Sequence, residues 1–506
     1  MFGTRVGMLR DIIEWTDDGA SPHSILWING LAGAGKSSIA VTIAECLDNA
    51  QRLGASFFCK RDKPELRDAG LLLPSVASRL ALCYPAYGKA LSEEIELDPD
   101  IGHAAIPLQF DGLFMLPLKR LEENPAPPPS DPIVIIIDAL DECGDGRTRR
   151  VLLDCLVKLS RLCSWLKIFV TSRPDADISR ALSKVSSCRS IQLSLDADAT
   201  LEDILRFTRN RMQQIVEAQY LEEEDWPGED RIMEFAVRAG GLFIWAQTAS
   251  TFISGGQDPE SRLQLVLSGE SPVGAYSKLD RLYTAALVET FGEYEDDNIE
   301  LFREVVGTIV TLQSPLCVDA LASFLQKDIP AIAIRNIVRH TAALLFEDPQ
   351  NEMVIRVCHL SFIDYLTDRD RCPPRFFINL DNRHAHLATL TLNRMLTELR
   401  FNICNLPSSD VFNADIPDLQ TRIQDNISLS LQYSCVHWMT HCALTQREDA
   451  SFHDVDGYID ELLTQPTILH WIEVLSLTGG IDIGIDGLSR VVGTLQVSAF
   501  LPKRTI

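Results

Sequence analysis

The sequence predicts an α/β fold that passes into a mostly α one: a doubly wound parallel sheet, then helical, winged-helix and helical C-terminal domains. Three observations predict it. Residues 30–37 read GLAGAGKS and lie between a short apolar run, 24–29, and a run with apolar residues at helical spacing, 38–47. Five β-branched residues in a row, 133–137, end in Asp138, as in a strand buried on both faces. Past residue 200 the apolar periodicity becomes almost wholly helical.

Each element follows in order. Residues 1–21 are a helical lead, amphipathic over 6–15. Residues 24–29 (SILWIN) are the first strand and 54–59 (GASFFC) the second, with a helix over roughly 70–95 after it. The stretch 124–130 (NPAPPPS) is a stiff exposed connector. Strand 133–138, a helix near 148–163, strand 167–172 (KIFVTS) and a weaker strand 190–194 (SIQLS) complete a domain spanning 22–196. A helical domain, 197–290, carries the acidic stretch 221–228 (LEEEDWPG), most simply a solvated loop. In 291–370 three helical segments precede two alternating runs, 344–347 and 353–357, around the turn 348–351 (DPQN). That pattern reads as a winged-helix domain with a β-hairpin. Residues 371–506 read as helical, with no visible repeat.

Composition sets bounds. The 506 residues suffice for about three or four domains. The net charge of −25, from 46 basic and 71 acidic residues, offers no partner charge to nucleic acid or an anionic membrane. No stretch approaches 18 uninterrupted apolar residues, so no membrane span is expected, and the N-terminus lacks a signal-peptide core. Thirteen cysteines without a C-x-x-C pair fit buried free thiols in a reducing compartment, hence a cytoplasmic location. The cluster CVHWMTHC (435–442) has metal-ligand residue types. On a helix, however, Cys435 and Cys442 share one face, and His437 and His441 share another, roughly 200° away, so the four pack rather than converge on one ion.

The stretch 30–37 fits the phosphate-loop pattern G-x-x-x-x-G-K-[ST] at every fixed position. Gly30, Gly33 and Gly35 let the backbone turn its N–H groups around an anion, and Ala34 and Ser38 complete the cradle. Lys36 reaches the terminal phosphates, and the Ser37 hydroxyl ligates Mg2+. Asp138, at the tip of the most apolar strand, emerges beside the loop and takes the magnesium, directly or through water. Asp141 or Glu142 positions or deprotonates the attacking water; helix N-capping is the other reading of these two. Arg173 senses the γ-phosphate, and Thr171 hydrogen-bonds it or the water, unless the segment is an ordinary surface turn.

This set resembles the NACHT family within the STAND class of signalling NTPases. The matched stretches are WINGLAGAGKSSIA (27–40), IVIIIDALDE (133–142) and KIFVTSRPD (167–175), with weaker matches at GLFIWA (241–246) and HLSFIDYL (359–366). They look like the fungal branch. The resemblance implies a switch in which ADP holds the modules closed and exchange for ATP opens them into a homo-oligomer. It implies that His359 touches the ADP phosphate, although a winged-helix core position competes. It implies that Pro315 touches the base, although its place at a helix start reads first as an N1 proline. Gly3-Thr4-Arg5 matches a family segment near the nucleotide.

The leading expectation is therefore an ADP/ATP switch, with GTP open, that hydrolyses slowly with Mg2+ in innate-immunity-like or cell-death signalling. An unidentified protein effector or sensor is its partner. Three alternatives stand beside it: a steady-turnover ATPase that remodels a protein partner, a hydrolysis-deficient nucleotide-binding scaffold, and a DNA-binding regulator. The last has only Arg335, Arg339 and His340 as cations around 330–340. Neither an upstream effector domain nor downstream sensor repeats are visible, so the chain reads as a fragment, a truncated product or a short architecture working with partners.

Overall fold

The computed structural model describes residues 4–488 apart from 62, 124–126, 196–197, 220–225, 256–257, 269–274, 293–295, 326–328, 350, 409–410, 446–451 and 486. The acidic stretch at 221–225, the start of the proline-rich connector, Gly3, Gln350 of the hairpin turn and the last 18 residues of the tail lie outside the described residues. The chain divides into two compact units, residues 1–282 and 283–506.

In the first unit, β1 (Ile25–Asn29), β2 (Leu53–Phe58), β3 (Ile133–Asp138), β4 (Leu166–Ser172) and β5 (Cys188–Gln192) form one parallel sheet in the order β2-β3-β4-β1-β5. This is the P-loop NTPase fold that the sequence predicts. Alternation along each strand sends its residues to two apolar cores. Trp27, Ile135, Ile137, Ile168 and Val170 pack with Leu72, Val76, Tyr87, Leu91, Leu152 and Leu156 on one face. Leu26, Ile28, Val134, Ile136 and Phe169 pack with Ile12, Trp15, Ile39, Ile43 and Leu47 on the other. Each of the five apolar residues of β3 is buried and contributes about 1.5–3 kcal/mol of apolar transfer. The decisive feature of the order is that β4 lies between β1, which feeds the glycine loop, and β3, which ends in Asp138.

Some elements differ from expectation. The helix expected over 70–95 is two, Leu72–Cys83 and Pro85–Leu97, because Pro85 starts a new helix and holds Tyr84 extended. The weak strand begins two residues earlier, at Cys188, as a half-exposed edge. Residues 106–123, unassigned by the sequence reading, form helix Ile106–Phe110, a π turn and helix Leu116–Glu123. Ile106, Phe110, Leu113, Phe114 and Leu118 are buried there at a helical spacing that the sequence did contain. Helices Asp198–Gln219, Glu229–Ala239, Phe243–Ser254 and Pro259–Leu267 follow the sheet.

In the second unit, helices Asp296–Thr311, Val318–Leu325 and Ala331–His340 precede an antiparallel hairpin of β6 (Leu345–Asp348) and β7 (Val354–Val357), with Leu345 opposite Val357. Arg335 lies 4.0 Å from Asp319 and 3.9 Å from Glu347, so one of the three cations near 330–340 already faces carboxylates. Helices Leu380–Glu398 and Leu429–Leu444 then pack on a core holding Trp438 and Trp471. The cysteines and histidines of 435–442 separate as predicted. Cys435 and Cys442 face that core, while His437 Nε2 meets Ser314 Oγ at 2.9 Å. His441 Nε2 meets the Tyr433 hydroxyl at 2.7 Å, and its Nδ1 meets His384 Nδ1 at 2.9 Å. Among the described residues no cluster of three or more His, Cys, Asp or Glu could hold a metal ion, and no helix is long and apolar enough to cross a membrane.

Candidate functional site

The loop from Gly30 to Lys36 needs its glycines for backbone reasons. Gly33 and Gly35 have φ of 79° and 93°, where a β-carbon is strained. The helix Lys36–Asn49 starts at Lys36 without a side-chain cap, so its first N–H groups remain free to face an anion. Lys36 is buried and donates from Nζ to the carbonyls of Gly30 (2.8 Å) and Leu31 (2.9 Å). Burial pulls its pKa down; Asp141, then Asp138 and Glu142, pull it back, while Arg173 adds to the depression.

The strand order explains what meets Asp138. Because β4 separates β3 from β1, Thr171 at the end of β4 sits beside the Asp138 carboxylate. Thr171 Oγ1 donates to Asp138 Oδ1 and accepts the Ala139 N–H at 3.0 Å. The Ser37 side chain lies close enough to the Asp138 carboxylate to pull its pKa down. The loop hydroxyl and the acidic strand tip therefore lie near one another. Burial raises the Asp138 pKa, opposed by the Thr171 hydrogen bond, by the nearby Ser37 side chain and by Lys36. A hydroxyl beside a buried carboxylate is a hard oxygen donor set, which fits Mg2+.

The two acids that the sequence left interchangeable differ in their surroundings. Asp141 is buried, its Oδ1 accepting the Arg173 N–H at 2.9 Å and its Oδ2 lying 3.3 Å from Arg173 Nε. Arg173 thus faces Asp141 as a carboxylate partner. Glu142 accepts the Arg61 N–H at 3.1 Å, and burial pushes its pKa up to about 7, the Arg61 hydrogen bond opposing. Neither acid caps an α-helix; both lie in the short turn Leu140–Glu142.

Three contributors carried little or no signal in the sequence. Ile244, in the segment 241–246, donates its N–H to the Gly33 carbonyl at 3.2 Å, and a β-carbon on Gly33 would lie 1.9 Å from Ile244 Cγ2. Thr4, Arg5 and Phe243 line a small pocket with Gly35, Ser38, Ile39 and Thr42. Arg5 donates to Asp203 Oδ2 and Thr200 Oγ1, both at 3.0 Å, and its guanidinium lies 5.7 Å from the centre of the Phe243 ring. Burial lowers the Arg5 pKa against the pull of Asp203. Only the weak matches at residues 3–5 and 241–246 pointed here. Arg149 is the third, described below.

Pro315 and His359 belong to the second unit. Pro315 is not at a helix start: the helix begins at Val318, after Cys317 pairs with Val354. His359 is the N-cap of helix Leu360–Leu366, its Nδ1 accepting the Ser361 N–H at 3.1 Å.

Residues 8–173 match the family described as Nephrocystin 3, N-terminal. The match covers the loop, Asp138 and Arg173 but a minority of the chain. No curated protein matches the sequence. Among solved structures the chain is similar to the Walker-type ATPase PABY2304 of Pyrococcus abyssi, at 14% identity and a TM-score of 0.32, over 71% of this chain and 94% of that one. It is similar to Cdc6p from Pyrobaculum aerophilum (12%, 0.32, over 77% and 94%) and to Drosophila ORC in its DNA-bound structure (15%, 0.30, over 72% and 95%). Likenesses this distant carry no inference about ligand or partner.

Proposed function

We propose that this chain is a nucleotide-dependent switch of the NACHT type that binds ADP or ATP with Mg2+ and hydrolyses ATP slowly. The observation that carries nucleotide binding is the convergence of Ser37, Thr171 and Asp138 beneath the glycine loop. In this reading the N–H groups of Gly33 and of residues 35–37, with the Lys36 side chain, hold the phosphates, while the Ala34 N–H donates to the Leu31 carbonyl at 3.3 Å, and Ser37 and Asp138 hold the metal. When bound, Mg2+ neutralises charge on the phosphate oxygens. Glu142 accepts the proton of the attacking water, since its carboxylate titrates near neutrality. Asp141 orients Arg173, which is presented to the γ-phosphate.

A switch is favoured over steady turnover by Ile244. A helix of the region after the sheet is bonded to the loop apex, so a change in the loop on nucleotide exchange is felt directly by that helix. Under this reading 197–290, 291–370 and 371–506 act as helical, winged-helix and helical modules, and exchange for ATP leads to a homo-oligomer that engages a protein partner in immunity-like or cell-death signalling.

The test is the nucleotide that copurifies and the rate at which ATP is turned over. ADP should be retained by the wild type and absent from Lys36→Ala, with turnover below about one per minute. Turnover of many per second would favour a remodelling ATPase. Lack of micromolar affinity for any nucleotide would refute the reading.

A further inference from the structure

The hydrogen-bond ladder between β3 and β4 ends with Ile137 opposite Val170. Beyond that pair the two strands part: Asp138 pairs on with Phe58 of β2 and Ser172 with Asn29 of β1. Then come the turn Leu140–Glu142, which carries Glu142, and the segment 173–175, which carries Arg173 into helix Ala176–Leu182. Side chains, not sheet bonds, must fix their separation. Thr171 on Asp138 and Arg173 on Asp141 supply two such ties. The third comes from outside both strands. Arg149, in the first turn of helix Gly146–Leu162, is buried with 10% of its side chain exposed. Its Nη1 donates to the Asp141 carbonyl at 2.8 Å, and its Nε donates to Asp177 Oδ2 at 2.7 Å. Its Nη2 lies 3.9 Å from Asp175 Oδ2. One planar guanidinium therefore reaches the turn that carries Glu142 and, at once, the head of the helix that the Arg173 segment runs into.

We propose that Arg149 is a positioning residue for hydrolysis, setting the turn that carries Glu142 against the segment that carries Arg173; this rests on the reading that the site hydrolyses ATP. A guanidinium suits the task because its N–H groups diverge in a fixed plane, whereas an ammonium at the same place would meet only one of the two well. Arg149 touches neither Lys36 nor the loop in any described contact, so its effect falls on the chemical step and spares the hold on nucleotide. A displacement of about 1 Å in such a site costs on the order of 100-fold in rate.

The experiment uses the full chain, a fluorescent ATP analogue for affinity, and single-turnover phosphate release for the chemical step. Arg149→Met should keep affinity within about threefold of wild type and lower the single-turnover rate by about 10–100-fold, with Arg149→Lys between. The acid limb of the rate profile should also move in Arg149→Met, because Glu142's turn has lost its anchor. A fall in bound nucleotide that matches the fall in rate, leaving the rate per bound nucleotide unchanged, would show a merely structural residue and overturn the proposal. So would a wild-type rate. Should Arg149→Met fail to fold, Asp177→Asn removes one tie; a slowed rate at unchanged affinity supports the proposal and a wild-type rate overturns it. Glu142→Gln separates the premise. If it abolishes phosphate release while Arg149→Met leaves it intact, this proposal alone fails. If wild type releases no more phosphate than Lys36→Ala, both fall.

Discussion

Substituting Gly33 by alanine tests whether Ile244 is seated on the glycine loop. Two separate costs follow from the geometry. The φ of 79° puts an alanine in the left-handed region, at about 1–2 kcal/mol. The new β-carbon would also lie 1.9 Å from Ile244 Cγ2 and 2.6 Å from Ile244 Cβ, an overpacking cost of about 1–3 kcal/mol. Together the loss is about 2–5 kcal/mol. The two parts separate in a double-mutant cycle. Ile244→Ala removes Cγ2 but keeps the carbon at 2.6 Å, so it should relieve little. Ile244→Gly leaves Cα as the nearest atom, at 3.7 Å, an ordinary contact, so it should remove the steric part and leave only the backbone cost. Denaturant unfolding of the single and double variants and wild type reads the energies, and nucleotide affinity is measured alongside. If Gly33→Ala costs as much in the Ile244→Gly background as in the wild-type one, the contact does not exist in solution and the argument for direct coupling collapses.

Three further outcomes are expected. Thr171→Val keeps the shape but deprives Asp138 of a donor and the Ala139 N–H of its acceptor; losing a hydrogen bond to a charged group, about 1.5–3 kcal/mol, should weaken Mg2+-dependent nucleotide binding by about 10–100-fold while Mg2+-free binding stays put, as magnesium titrations would reveal. Glu142 must be ionised to act as base, and burial places its pKa at about 7, so single-turnover rates should fall about tenfold per pH unit below that value and be insensitive above it; a profile flat from pH 5 to 8 would exclude the assignment. In the second unit, burial depresses His384 to about 4 and, with His384 and His437 nearby, holds His441 well below the usual range. The native state then binds fewer protons than the unfolded chain between about pH 4 and 6.5, so stability present above 6.5 is lost as pH falls, by about 3 kcal/mol for His384. His384→Asn should remove that part of the slope, and an unchanged slope would contradict it.

The sheet and the loop were legible because their residue types carry local constraints. Five consecutive β-branched residues have few alternatives to a strand buried on both faces, and Gly33 and Gly35 occupy backbone angles that little else tolerates. Asp138 followed from strand end and sheet edge. What stayed hidden depends on partners distant in sequence. Nothing in the spacing around Arg149 announces bonds to a carbonyl 8 residues away and a carboxylate 28 away. Asp141 and Glu142, adjacent and chemically alike, were inseparable until one was seen facing Arg173 and the other the Arg61 amide. The helix expected over 70–95 ignored Pro85, a break that was written in the sequence. Pro315 was assigned to a helix start three residues too early, because a short bridge from Cys317 to Val354 uses the intervening chain.

The helix Val6–Asp17 is fastened at both ends by different hardware. At its tail, Lys167 from β4 holds the Trp15 and Asp18 carbonyls, tying it to the sheet. At its head, Arg5 grips Thr200 and Asp203 while walling the small pocket with Phe243. Tension drawn along the backbone from the direction of residue 4 is borne first by Arg5, ahead of any strand. A pull at Thr4 would thus reach the wall of that pocket, through Arg5, before it reached β4 at the helix's far end.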